Sequence, residues 1–339
     1  MADASFDVLT IGNAITDVLA RTDEAFIDAE GMTKGIMHLI EHERADYLYG
    51  LMPDDKQQIS GGSSANTAAG VASLGGRAAF VGKVSDDEIG RFFTRDLQAA
   101  DVHYTTSWLE HGAGSGRSMI LITPDGERTM NTYLGACHDL TEADIVEDEI
   151  GAAAITFMEG YLWDPPEAKR AFVKAAHFAH KHERAAAITL SDPFCVNRFR
   201  DEFLDLMRSK TCDYVFANLK ELMTLYETDD IGAAVRQIAQ DAEIAAITMS
   251  EDGAMLVANG EVITVPAFAV DTVEDATGAG DLFASGLLLG LARGMEMEPA
   301  LKLGCMSAAE VISHVGARPQ RSLRDMAVEF GLLSQSTVL

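Results

Sequence analysis

The chain has 339 residues, 47% of them hydrophobic, and its 26 Lys and Arg face 53 Asp and Glu for a net charge of -27. That balance argues against a nucleic-acid or anionic-membrane partner, which it repels at long range, but not against a small anion held in a locally positive pocket. Four scattered cysteines, Cys137, Cys195, Cys212 and Cys305, form no CxxC pair, which argues against a disulfide framework or a zinc knuckle.

The opening MADASFDVLT is acidic and lacks the basic-then-apolar order of a signal peptide, and the longest apolar run, Leu282 to Ala292, is too short to cross a bilayer. A cytoplasmic location is expected. The length allows two average domains, yet α/β proteins of this size often fold as one unit, and a single unit over 1–339 is the expectation.

FDVLTIGNA reads as a short buried strand that stops at Gly12, so the Gly-Asn after it marks a site edge. DVLARTD, a helix-like DEAFIDAEG, GIMHLI and an amphipathic EHERADYLYGLM follow, which suggests a small appendage on the main body. SGGSSANTAAGVASLGG places small residues at helical spacing and implies a helix packed very closely against a neighbour. RAAFVGKVSDDEIGRFF reads as strand, loop and helix, and RSMILITPDGERTMNTYLGA as two strands about a Pro-Asp-Gly-Glu turn. Strands near 153–158, 186–190, 214–217 and 245–249 then alternate with helices such as 166–182 and 231–240. The alternation calls for a doubly wound, mostly parallel α/β sheet with helices on both faces, whose ligands sit beyond the carboxyl ends of the strands.

DATGAGDLFASGLL, at 275–288, leads a glycine-rich turn into an apolar helix with a bare carboxylate, Asp281, in its first turn. An aspartate there complements the helix macrodipole by about 0.3 to 1 kcal/mol, which is reason enough for many such residues. The neighbours point further, because Gly278, Ala279 and Gly280 leave N–H groups unshielded at the positive end of the helix, where phosphate is held without a basic side chain. A carboxylate beside such a cradle is repulsive unless it has a task. General-base removal of a proton from a substrate hydroxyl, with the amides stabilising the transferred phosphoryl group, is a task that fits. Two other phosphate signatures fail: GRAAFVGKV has Arg77 where a P-loop needs glycine and Val84 where it needs a hydroxyl, and GNAITD lacks the Rossmann glycines.

DATGAGD at 275–281 resembles the C-terminal signature of the ribokinase-like (PfkB) carbohydrate and nucleoside kinases, and GGSSANTAAGVASLGGRAAFVGKVSDDEIG at 61–90 resembles their N-terminal one. FANLKEL is similar to the N-x-x-E element that organises magnesium and phosphate, and ITMSEDGA to the strand and turn under the nucleotide. The resemblance covers nearly the whole chain. It implies a doubly wound α/β body with a small β-sheet lid, here from segments near 14–60 and 103–135, and an ATP- and Mg²⁺-dependent kinase.

Carried over residue by residue, the resemblance makes Asp281 the base and Gly278, Ala279 and Gly280 the anion hole. It makes Asn13 and Asp17 the acceptor-binding pair, with Gly61, Gly62, Ser63 and Asn66 beside the same hydroxyls. An ionised aspartate suits vicinal hydroxyls because it accepts two hydrogen bonds. Glu221 would serve Mg²⁺ through water, and with Asn218, Thr248, Ser250, Gly253 and Thr277 would border the nucleotide. Asp275 stands where several relatives bind a monovalent cation, K⁺ being the ion expected.

The motifs say less about the acceptor. The spacing from Asn13 to Gly61, LSDPFCVNRFRDEF and ERTMNTYLGA look like the adenosine-kinase-like branch. A purine needs a flat apolar slot, for which Met119, Tyr133, Leu134 and Phe194 are candidate walls, and each is equally a candidate for ordinary packing. Arg128 on the hairpin could close over the phosphates, an exposed turn arginine being the commoner alternative. His177, His180 and His182 lack further metal ligands nearby and read as a solvated helix face. The leading reading is phosphorylation of the adenosine 5'-hydroxyl, with a sugar such as fructose or ribose as runner-up. A non-catalytic nucleoside sensor and a dinucleotide oxidoreductase are the alternatives from other classes. The partner is a small molecule, and a monomer and a homodimer paired through an edge at GIMHLI or RSMILIT both stay open.

Overall fold

A computed structural model describes residues 4–334. In chain order, β1 (Phe6–Ile11) enters a larger sheet, and β2 (Ile15–Arg21), β3 (Met37–Leu39) and β4 (Gln57–Gly61) build a smaller one. The chain returns to the larger sheet with β5 (Ala78–Val81) and β6 (Val102–Tyr104), then to the smaller with β7 (Gly116–Ile122) and β8 (Arg128–Tyr133). The larger sheet is completed by β9 (Ala153–Glu159), β10 (Ala185–Thr189), β11 (Tyr214–Asn218), β12 (Ile244–Thr248), β13 (Ala254–Ala258) and β14 (Glu261–Val265).

The strand order is β14-β13-β12-β11-β10-β9-β1-β5-β6, parallel from β6 to β12 and antiparallel over the last hairpin. The fold is the expected mostly parallel α/β sheet. Its strands read as unbroken apolar runs because both faces are covered: Leu9 and Ile11 join Met158, Ile188, Val215 and Ile247 in one layer, while Val8 joins Phe157, Ala187, Phe216 and Ala246 in the other. From β1 the chain proceeds to β5 on one side, and β9 is added on the other. That reversal opens a crevice beyond the carboxyl ends of β1 and β9, the place where ligands bind in such sheets.

The smaller sheet has the order β3-β8-β7-β2-β4 and its own core, from Val18, Ile27, Leu48, Met119 and Leu121. The Pro-Asp-Gly-Glu turn joins β7 to β8, with Gly126 at φ +88° and its amide donating to Thr123 O at 2.9 Å. Two expectations change here. RSMILIT is no edge, because β7 lies between β8 and β2, whereas GIMHLI supplies β3, which is one. Met119 is fully buried in this core, the ordinary packing that is its alternative reading.

Candidate active site

Two helices bring the sequence motifs together. In the helix Ser63–Ser73 the small residues let the backbone approach the helix Ala279–Ala292 so closely that a Cβ on Gly70 would lie 2.5 Å from Ser285 Oγ. The contact puts residues more than 200 positions apart within bonding distance. Ser63 Oγ donates to Asp281 Oδ1 at 2.6 Å, and Asn66 Nδ2 donates to Asp281 Oδ2 at 2.9 Å. Burial pushes the Asp281 carboxyl above the usual aspartate range, against the pull of these two bonds and of the Arg318 guanidinium.

Asn13, just beyond β1, donates through Nδ2 to Glu159 Oε1 at 2.7 Å, and Glu159 Oε2 accepts the Ser64 amide at 2.9 Å. The other amide oxygens, Asn13 Oδ1 and Asn66 Oδ1, are buried without a hydrogen-bond partner, which in a native protein calls for a reason. Glycines make room for the carboxylates. A Cβ on Gly12 would sit 2.2 Å from Glu159 Oε2, and one on Gly61 would sit 2.3 Å from Asp17 Oδ2. Gly62 has φ +92°, and a Cβ there would strike Asn13 O at 2.2 Å.

Asp17 accepts no hydrogen bond among the described residues, and burial raises its carboxyl to about 7, opposed by Arg318 and Arg128 and assisted by Asp281. Burial likewise carries Glu159 to about 7, against the Ser64 amide and the Asn13 bond and with a further push from Asp281. Asn13, Asp17, Gly61, Gly62, Ser63 and Asn66 therefore gather around Asp281.

The turn before the second helix departs from the expected three free amides. Ala279 N donates to Ala276 O at 3.2 Å, a turn bond that withdraws it, whereas the Gly278, Gly280 and Asp281 amides have no protein acceptor among the described residues. Gly278 caps the helix at φ +82°, and a Cβ on Gly280 would meet open space. Thr277 N donates to Asp275 Oδ1 at 3.0 Å, Gly316 N to Asp275 Oδ2 at 2.8 Å, and Arg128 Nη2 lies 2.8 Å from the same Oδ2. Asp275 thus organises the loop through both carboxylate oxygens, and Arg128 reaches that loop through its ion pair with Asp275.

On the nucleotide side, Asn218 ends β11 and caps the helix Leu219–Leu225 in a reciprocal box. Asn218 Oδ1 accepts Glu221 N at 2.9 Å, and the Glu221 carboxylate accepts Asn218 N at 3.0 Å together with Asn218 Nδ2. Burial raises Glu221 to about 7. An open cleft of about 760 Å³ is lined by Asn218, Lys220, Met223, Thr248, Ser250 and Glu251. Of the expected nucleotide residues, Asn218, Thr248 and Ser250 line this cleft, Gly253, at φ +91°, closes the turn next to it against Val265 O, and Thr277 lies apart in the Asp275 loop.

Of the remaining candidate walls, Tyr133 is half-buried with its ring 5.4 Å from that of His42, Leu134 is half-buried beside it, and Phe194 is 64% exposed. His180 and His182 pair with Asp213 and Glu147 on the surface. Three residues of the site were not read from the sequence. Glu159 carried a signal, a carboxylate at the carboxyl end of the otherwise uncharged strand AAITFME. Tyr161, 41% exposed, follows it, and its hydroxyl is pushed upward by burial and then by Asp192, Cys195, Asp281 and Glu159. Arg318 sits in an irregular loop after the last long helix, where local pattern has no bearing on what it faces.

The pfkB family carbohydrate kinase pattern matches residues 22–323. The chain belongs to the PfkB family. Among solved structures, a probable sugar kinase from Rhizobium etli is 50% identical with a TM-score of 0.90, over 97% of this chain and 100% of that one. An adenosine kinase from Sinorhizobium meliloti is 50% identical with a TM-score of 0.89, over 96% and 100%. A 5-dehydro-2-deoxygluconokinase of Bacillus cereus is 27% identical over 75% of this chain and 80% of its own length. The protein is a PfkB kinase acting on a small molecule, and its relatives divide between adenosine and sugars as acceptor. No helix of the described residues is long and apolar enough to cross a membrane.

Proposed function

We propose that this PfkB kinase transfers the γ-phosphoryl group of ATP to the 5'-hydroxyl of adenosine. The observation that carries the transfer is the Asp281 carboxylate, bonded to Ser63 and Asn66, beside the unpaired Gly280 amide at a helix N-terminus. Asp281 takes the hydroxyl proton as the oxygen bonds to the γ-phosphorus and the bond to the ADP oxygen breaks. Its raised pKa makes it a better base at neutral pH than an exposed aspartate. Gly278 and Gly280 face the charge on the moving group. Asp17 and the two unpartnered oxygens, Asn13 Oδ1 and Asn66 Oδ1, are acceptors only, which suits a ligand presenting several hydroxyl donors.

PfkB kinases use ATP with a divalent metal ion, and Mg²⁺ is the ion assigned here. Asn218 and Glu221 fit it through water, because both Glu221 oxygens already accept bonds from Asn218. Such an ion supplies positive charge to the phosphates. The five-stranded sheet serves as the lid that excludes water, and Arg128 extends from it to the Asp275 loop.

Adenosine is favoured over a sugar by the half-exposed Tyr161 ring next to Glu159, a flat face for a base beside the hydroxyl-binding groups. The 50% identity to the Rhizobium etli protein described as a probable sugar kinase supports the sugar reading as the second. Coupled ADP release with a panel of nucleosides and sugars decides. Turnover with adenosine at micromolar levels is expected, and turnover with sugars alone overturns the acceptor. No ADP with any acceptor overturns the catalytic reading.

A further inference from the structure

We propose that Arg318 is a positioning residue for phosphoryl transfer, tying the β4 junction that shapes the acceptor site to the loop that caps the Asp281 helix. The inference deepens the kinase reading and rests on it. As an edge strand, β4 has ladder partners only on the β2 side, so the outward groups of its residues need others. At Ser60, which is fully buried, they are all taken. Its N and Oγ donate to Asp96 Oδ2 at 2.8 and 2.7 Å. Its carbonyl accepts Arg318 Nε at 3.0 Å and also Nη2, and its Oγ accepts Nη2 at 2.9 Å.

Ser60 immediately precedes Gly61 and Gly62, the glycines pressed against Asp17 and Asn13. A guanidinium 258 positions away therefore fixes the backbone on which the acceptor-binding pair rests. The two residues before Arg318 reach the other half of the site. Gly316 N donates to Asp275 Oδ2 at 2.8 Å, and Ala317 lies where a Cβ on Gly278 would meet it at 2.8 Å. Gly316, Ala317 and Arg318 thus touch, in order, the carboxylate that organises the anion loop, the cap of the Asp281 helix and the acceptor junction.

Charge adds to the tether. Arg318 faces Asp96, Asp17 and Asp281, and Asp17 is faced by Arg318, Arg128 and Asp281. Removing Arg318 leaves Asp17 between one cation and one anion, so its carboxyl rises and its ionised form is lost at a higher pH. Lysine retains the charge but not the planar fork that spans the Ser60 carbonyl and hydroxyl.

The experiment compares parent, Arg318→Met and Arg318→Lys, on whichever acceptor the ADP-release panel identifies. Arg318→Met is expected to raise the acceptor KM about 10-fold or more, the scale of one lost charge-assisted contact, with the ATP KM within about twofold. Its acid limb in kcat/KM moves to higher pH. Arg318→Lys is expected to raise the acceptor KM about threefold with the limb at its parental place. Parental KM and limb in Arg318→Met overturn the proposal, as does a limb in Arg318→Lys displaced as far as in Arg318→Met. If Arg318→Met does not fold, Arg318→Lys decides, and an unchanged acceptor KM overturns the tether. Hydrogen exchange of residues 57–66 needs no substrate: faster exchange in the variant supports the tether, and unchanged exchange counts against it. A wrong acceptor would show instead in the parent, as absence of turnover with adenosine.

Discussion

Asn13 points its amide nitrogen at Glu159, 2.7 Å away, and that bond leaves its Oδ1 buried without a hydrogen-bond partner among the described residues. Because the Glu159 carboxylate also accepts the Ser64 amide, the orientation is dictated by donors and acceptors on both sides. In Glu159→Gln the new amide must keep its oxygen on Ser64 N, so its NH₂ faces Asn13 and forces that side chain to flip. A donor then confronts the acceptor's hydroxyls. The acceptor KM is expected to rise about 10-fold, and adding Asn13→Asp, which restores an oxygen on that side, to recover most of it. Steady-state kinetics of the two single variants and the double checks this, and a double variant no better than Glu159→Gln refutes it.

Asp281→Asn is expected to lower kcat by about 10²- to 10⁴-fold while leaving the ATP KM nearly unchanged. Stability should hold, since the substitution removes a carboxylate that burial disfavours. Turnover and thermal unfolding measured together separate loss of the base from loss of the fold.

Two glycines are expected to respond oppositely to alanine. At Gly61 the added methyl collides with Asp17, 2.3 Å away, so Gly61→Ala should raise the acceptor KM and destabilise by about 1–3 kcal/mol. At Gly280 it meets no atom within 4 Å, so stability should stay within about 0.5 kcal/mol while kcat falls, because the methyl enters the anion cradle. Denaturant midpoints and kcat for both variants test the pair.

Asp17 and Glu159, each raised by burial to about 7, set the pH behaviour. Activity that needs Asp17 ionised falls as pH drops through about 7. Stability goes the other way: a carboxyl whose folded pKa lies above its unfolded value favours folding at low pH and loses that contribution as pH rises through the folded pKa. The ligand-free thermal midpoint is therefore expected to be higher at pH 6 than at pH 8, while kcat/KM is lower. A midpoint that rises from pH 6 to pH 8 would contradict the buried, ionisable assignment.

The mostly parallel α/β architecture was legible because each strand of the larger sheet is an apolar run between helices, as at Ala153–Glu159 and Ile244–Thr248. The Asp281 turn was legible as a motif, since glycines and a carboxylate at a helix start leave few alternatives. What pairs with it was less so. That Ala279 spends its amide on Ala276, and that Arg128 meets Asp275, follow from backbone curvature and sheet placement, which no residue pattern encodes. Arg318 was invisible for a related reason: a buried cation is specified by the three aspartates that surround it, and those come from three distant elements.

The smaller sheet has two unlike borders. Along β4, Asp96 and Arg318 occupy the outward groups of Ser60, while β3 carries Met37 and Leu39 at 45% and 63% exposure. Strand addition at β3 by a second copy would consume the more inviting border of the smaller sheet on each molecule. Such pairing, being two-fold, closes on itself at two subunits and leaves no β3 edge open for further stacking.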